Sequence, residues 1–145
     1  MSDSRADTTP DLTAQLSQEF YNSDLLYPLL LHIAMLEFEA RKDVVQIFNN
    51  LLRRQIGSRW PTVDHIAGRP DIIFAALAGY ENEEVSLNTG MILKEMLRHE
   101  QLCNILLYSD QYVVYVLLSS SRKGYLEQIL QISPLYRNDD IWHLL

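Results

Sequence analysis

Apolar side chains recur along this chain at three- and four-residue spacing, the period of an amphipathic helix. Leu12, Leu16 and Phe20 follow one another at four-residue intervals behind Thr9-Pro10-Asp11. That tripeptide is a helix start, with proline in the first turn and an acid at the positive end of the dipole. Asn22-Ser23-Asp24 ends this helix and opens the next. Residues 25–38 are apolar nearly all round, which predicts a helix buried on more than one side, with Pro28 tolerated near its start. A third helix is predicted over residues 40–56. It carries Val44, Ile47, Phe48, Leu51 and Leu52 on one stripe and Gln46, Asn49, Asn50 and Arg53 on the other face. Gly57 is its expected C-cap.

A connector through Trp60-Pro61, with one turn over residues 62–67, leads to a short helix that Pro70 begins and Gly79 closes. Asn82 is expected to cap the following helix, with Glu83 and Glu84 in its first turn. Val85, Thr89, Ile92 and Met96 line one face of that helix, and Arg98 and His99 stand at its cation-favouring end.

Shifting the chain by 41 residues superposes these patterns. Leu31, Ile33 and Leu36 fall on Ile72, Phe74 and Leu77, while Val44, Leu51, Leu52 and Arg53 fall on Val85, Ile92, Leu93 and Lys94. A period of ~40 to 47 residues built from two or three helices marks armadillo and HEAT arrays, whose units hide their apolar faces only by stacking. The alternative is chance pairing of two amphipathic helices that share the same period. The expected fold is all-α, a partial armadillo/HEAT-like helical repeat solenoid over residues 10–111, behind a disordered N-terminus at 1–9. A further unit begins at Tyr112 but is interrupted by residues 119–124 and by Pro134. Residues 112–145 are therefore expected to be a divergent tail with one apolar segment, 112–118, and a short helix, 125–132. The apolar segment is uncharged, free of proline and rich in strand formers, an aggregation liability unless covered.

Composition narrows the function classes. The 145 residues are 48% apolar and 21% charged, which suits one folded domain rather than disorder. Nineteen acidic against twelve basic residues give a net charge of -7, unfavourable for nucleic acid or an anionic membrane as principal partner. No apolar run approaches the ~20 residues of a membrane-spanning helix, and the first residues lack the pattern of a signal peptide. A cytoplasmic location is expected. Cys103 is the single cysteine, so neither an intrachain disulfide nor a multi-cysteine zinc site can form.

Catalytic motifs are absent: there is no G-x-S-x-G elbow, Walker A loop, kinase set or H-E-x-x-H helix. No catalytic residue, metal ligand set or cofactor is assigned. His99 and Cys103 share a helical spacing, but zinc wants three or four ligands, and Cys103 lies in the apolar run 102–107, where it reads as a small core residue. A small enzyme using Cys103 and His99 is the catalytic alternative. Asp64 and His65 are adjacent in sequence and would not face one another on a helix. Between Arg41 and Arg69 lie six basic residues (Arg41, Lys42, Arg53, Arg54, Arg59, Arg69) against two acids (Asp43, Asp64). This patch suits an acidic or phosphorylated protein, or a nucleic-acid adaptor as the weaker alternative, since aromatics are not interleaved with it. The plain reading of the same residues is a solvated helix face.

Several stretches carry a resemblance. Lys42-Asp43-Val44-Val45-Gln46-Ile47-Phe48-Asn49-Asn50 is one, and Arg53-Arg54-Gln55-Ile56-Gly57 with Arg59 and Pro61-Thr62-Val63 is another. Leu87-Asn88 through Arg98-His99-Glu100, together with Gln15-Leu16 and Phe20-Tyr21-Asn22-Ser23, complete the set. Over about residues 11–112 the chain resembles the calcium-binding protein 39 (mouse-protein-25) scaffold family, whose fungal branch serves morphogenesis and cell-separation signalling. The resemblance implies an armadillo-like solenoid without catalysis that holds a Ste20-type (germinal-centre) kinase or pseudokinase in its active conformation. It implies that the third helix of each unit lines the concave face, which makes Gln46, Asn49, Arg53, Asn88, Met91 and Glu95 the expected partner contacts. Family members are longer, and their pocket for a partner's Trp-Glu-Phe tail lies in C-terminal repeats that this chain lacks, so tail-peptide binding is expected to be absent. The expected product is a truncated member.

Overall fold

The computed structural model describes residues 10–110. The N-terminus expected to be disordered over residues 1–9, and the apolar segment and short helix expected within 112–145, lie outside the described residues. The described chain forms α1 (Pro10–Asn22), α2 (Leu26–Leu31), a 3-10 turn (Ile33–Met35), α3 (Phe38–Arg53), α4 (Pro61–Gly68), α5 (Asp71–Gly79), α6 (Ser86–Met96) and α7 (Glu100–Leu107). Helices stack on their counterparts one unit away: α1 against α4 and α4 against α7, α2 against α5, and α3 against α6. Two three-helix units result, and α7 opens a third. This is the armadillo-like helical repeat that the shifted sequence predicts.

The long-range polar links repeat the same interval. Tyr21 Oη meets Thr62 Oγ1 at 2.5 Å across 41 residues of sequence, and Arg53 binds Glu95 across 42. Arg41 binds Glu84 across 43 residues, and Arg69 binds Asp24 across 45. Each joins one unit to the next, so the side-chain hydrogen bonds report the same period as the apolar pattern.

Local structure departs from the sequence reading at six places. The helix expected over residues 25–38 breaks after Leu31 and restarts at Phe38, because Leu36 turns extended at φ -85, ψ 154. Arg41 takes up the carbonyls that the break frees: its Nε donates to Leu36 O at 2.8 Å, and its terminal nitrogen donates to Ala34 O at 2.9 Å. Helix α3 then ends at Arg53, before the expected residue 56. Gly57, at φ +60, does not cap it but makes the tight turn between Ile56 and Arg59, which exchange two backbone hydrogen bonds of 2.9 Å. The single turn expected at 62–67 is a full helix, α4, with Pro61 in its first turn. Asn82 does not cap α6. Its Oδ1 accepts the Glu84 N–H at 3.0 Å in a turn that precedes the helix, so Glu83 and Glu84 lie ahead of the first turn. Finally, Leu12 and Leu16 of α1 are exposed, and Ser17 is the residue that helix buries.

The core is built from the faces that the 3.6-residue period marks. Phe48 and Leu52 of α3 are wholly buried together with Ile72, Ile73 and Ala76 of α5 and Ile92, Leu93 and Met96 of α6. Each large aliphatic side chain removed from water contributes about 1.5–3 kcal/mol, an upper figure because unfolded chains already bury some apolar surface.

Close approach of α5 and α6 depends on Gly79. A Cβ there would lie 2.5 Å from Thr89 Cγ2. Thr89 cannot swing away, because it is fully buried and its hydroxyl donates to Val85 O at 3.1 Å. Gly79→Ala is therefore expected to destabilise the fold by about 1–3 kcal/mol in urea unfolding. Thr89→Ser, which deletes the obstructing methyl and keeps the hydroxyl, should recover much of that loss in the double variant. Additive losses would show that the contact is not the cause.

Candidate functional site: a polar groove between the third helices

Helices α3 and α6 present their polar stripes on one side. Along α3, Gln46, Asn49, Asn50 and Arg53 recur at three- and four-residue spacing, while Val44, Phe48, Leu51 and Leu52 turn into the core. The stripe of α6 carries Asn88 and Met91 three residues apart. Stacking α3 on α6 brings these six side chains, together with Lys42 and Val45, around one groove of about 380 Å³. Five of the six expected contact residues, Gln46, Asn49, Arg53, Asn88 and Met91, therefore share a single surface. Met91 is 54% exposed, an adaptable apolar contact among amides.

The sixth, Glu95, lies elsewhere. Its side chain is 10% exposed and is held beneath two arginines. Arg53 grips it with both ends of the fork: Nε donates to Oε1 at 3.0 Å, and a terminal nitrogen donates to Oε2 at 3.3 Å. Arg98 donates to Oε2 at 3.4 Å. Burial pushes the Glu95 carboxyl up, but the Arg53 hydrogen bonds and the charges of Arg53 and Arg98 outweigh it, leaving the carboxyl below its ordinary 4.5. The same hydrogen bond raises Arg53. Glu95 thus positions Arg53 and offers little surface of its own.

Beyond Arg53 a second pocket of about 690 Å³ opens between Trp60, Val63, Arg98, His99 and Gln101, with Glu95 and Glu100 on its lining. The Trp60 and His99 rings meet edge to face, with centroids 4.9 Å apart. Burial lowers His99, and the nearby Glu95 charge and a backbone hydrogen bond with Leu52 oppose it. Sequence spacing did not single out Trp60, Arg98 or His99 for this pocket. The available signal was the repeat itself: Arg53 aligns on Lys94, so its acidic partner is the next residue, one unit along.

The other candidate chemistry resolves into structure. Cys103 is 1% exposed within α7, as a core residue should be. Among the described residues no group of three or more His, Cys, Asp or Glu could hold a metal ion. Asp64 is exposed, whereas His65 stacks on Tyr21 at 4.8 Å in the α1–α4 seam and is lowered chiefly by burial. The basic patch disperses. Arg41 pairs with Glu84 at 2.6 Å, Lys42 with Glu39 at 3.0 Å, Arg53 with Glu95, and Arg69 with Asp24. Only Arg54 and Arg59, among the described members of that patch, stand without an ion pair, too few for a counterion-releasing nucleic-acid surface. Among the described residues no helix is long and apolar enough to cross a membrane.

Comparison with known proteins adds a family. A family model described as Mo25-like matches residues 1–131. Calcium-binding protein 39-like of Mus musculus is 49% identical over 102 residues, covering 70% of this chain and 30% of the relative. The Mo25-like protein of Schizosaccharomyces pombe is 40% identical over 112 residues, 77% of this chain and 34% of its own length. Protein HYM1 of Saccharomyces cerevisiae is 32% identical over 110 residues, 71% and 28% respectively. The chain spans about a third of the length of these curated relatives.

Glu95→Gln keeps the shape and removes the charge, and is expected to cost about 1–3 kcal/mol at neutral pH. The folded carboxyl titrates below its ordinary 4.5, so its stabilisation is complete above that value and fades as pH falls through the folded one. The gap between wild type and Glu95→Gln should stay constant above about pH 5 and close on further acidification. A gap independent of pH down to full acid unfolding would show that the charge contributes nothing.

Proposed function

The chain belongs to the Mo25-like family, and from that membership we propose that it is a non-catalytic cytoplasmic scaffold that binds a Ste20-type kinase or pseudokinase in polarity and morphogenesis signalling. The observation that carries the reading is the convergence of the α3 and α6 polar stripes on one groove while the opposite faces of both helices form the core. Gln46, Asn49 and Asn88 supply amide donors and acceptors, Met91 supplies an adaptable apolar contact, and Arg53, fixed by Glu95, supplies a directed charge. Glu95 acts through Arg53. A scaffold of this kind activates only if it touches the active conformer more strongly than the inactive one, since equal affinity shifts nothing.

The dispersal of the basic residues into ion pairs weighs against a nucleic-acid adaptor, and the burial of Cys103 weighs against a thiol enzyme.

The test is calorimetric binding of the purified chain to an active-conformation Ste20-type kinase domain. Arg53→Glu is unsuitable, because it would set a carboxylate against buried Glu95. Gln46→Ala combined with Met91→Ala removes two exposed groove side chains and should weaken binding by at least about tenfold with unchanged melting temperature. Arg59→Ala, outside the groove, should leave it unaltered. Undiminished binding by the folded double variant would place the contact elsewhere, and no binding by folded wild type would overturn the reading for this chain.

A further inference from the structure

The 690 Å³ pocket beside the groove has a composition that partner docking through the amide stripes does not require. Two arginine side chains, 61% and 56% exposed, meet over one glutamate side chain that is 10% exposed. Both oxygens of Glu95 are already occupied as acceptors, by Arg53 at 3.0 and 3.3 Å and by Arg98 at 3.4 Å. What the triad shows to solvent is therefore its positive part. Two charges of one sign against one of the other leave an excess of +1. A guanidinium offers five N–H donors, and these contacts use two on Arg53 and one on Arg98. Most of the donor capacity remains, on side chains whose positions the buried carboxylate fixes in advance. Of the lining acids, Glu100 alone is solvent-exposed, and it forms no ion pair with either arginine.

Trp60, braced edge-on by His99, and buried Val63 form an apolar wall beside these donors. Gln101 brings the first turn of α7, which has no side-chain cap, to the same space, so the positive end of that helix adds to the potential. The volume is that of a pocket for a drug-sized ligand, more than a lone oxyanion fills. A charged head between the arginines and an organic body against Trp60 together match it.

We infer that this pocket is a binding site for a phosphorylated side chain of a protein partner, with Arg53 and Arg98 as its phosphate ligands and Trp60 as the wall for the residue that bears it. A dianion suits the site better than a carboxylate, because it must compete with Glu95 for the same forks, and it offers three acceptor oxygens to two arginines. The inference does not rest on the kinase reading. Arg98 lines this pocket and not the groove, and Gln46 and Met91 line the groove and not this pocket, so the two can fail separately.

The experiment is a nitrogen-15 NMR titration of the full chain at constant ionic strength, following the Trp60 indole and the Arg53 and Arg98 side chains. The probes are a blocked tetrapeptide containing phosphoserine, its serine and glutamate forms, and inorganic phosphate. The phosphoserine peptide should give saturable shifts at all three groups, the serine form none, and the glutamate form at least about tenfold weaker binding. Arg98→Gln should weaken phosphopeptide binding by about tenfold or more, because it deletes one of the two phosphate ligands. Saturation by inorganic phosphate but not by the phosphopeptide would overturn the assignment to a side chain. Absence of saturation by either, or binding indifferent to Arg98→Gln, would overturn the site.

Discussion

None of the helices can bury its apolar face alone. Each has a counterpart one unit away, and α1 on α4, α2 on α5 and α3 on α6 are the contacts through which the core closes. This stacking constraint sets everything else in the structure. It requires the apolar stripes to repeat at the interval of the unit, it brings Gly79 against Thr89, and it sends the polar stripe of each third helix to the same side. The groove is a by-product of burying Phe48, Leu52, Ile92 and Met96 on the opposite faces.

Charge is spent on the same task. Arg41 closes the break between the 3-10 turn and α3 and then reaches Glu84 of the next unit, so one guanidinium fixes both a local bend and the register between repeats. Arg69 joins Asp24 across the first seam and lies over the Tyr27 ring at 5.1 Å. Arg53 and Glu95 lock α3 to α6, and in doing so they aim a charge along the boundary of the groove. The exposed Arg53 and its buried partner differ in what the pairing does. For Arg53 it is orientation at a solvent-screened surface, and for Glu95 it offsets the cost of burial.

The legible part of the site was its stripe. Gln46, Asn49 and Arg53 follow from the helical period on one helix, and Asn88 and Met91 from the same period on the other. Glu95 shares that period, but its burial depends on Arg53 and Arg98 closing over it, which no spacing along α6 conveys. Trp60 and His99 are 39 residues apart in sequence and meet only because α4 stacks on α7. The basic cluster between Arg41 and Arg69 was conspicuous in one dimension, yet in three Arg41, Arg53 and Arg69 each pair with a carboxylate one unit away.

Periodicity by itself determined the all-α class, the 41-residue repeat and which face of α3, α5 and α6 enters the core, because these depend on the 3.6-residue geometry that every helix obeys. It did not determine where residues 25–38 break, since the sequence there is apolar nearly all round and the break is stabilised by a side chain, Arg41, that lies beyond it. Nor did it place Gly57 or Asn82, whose turns are set by how the flanking helices must reverse. The exposure of Leu12 and Leu16 was equally a tertiary outcome, because an apolar stripe states that a face seeks a partner and only the packing decides whether one is there.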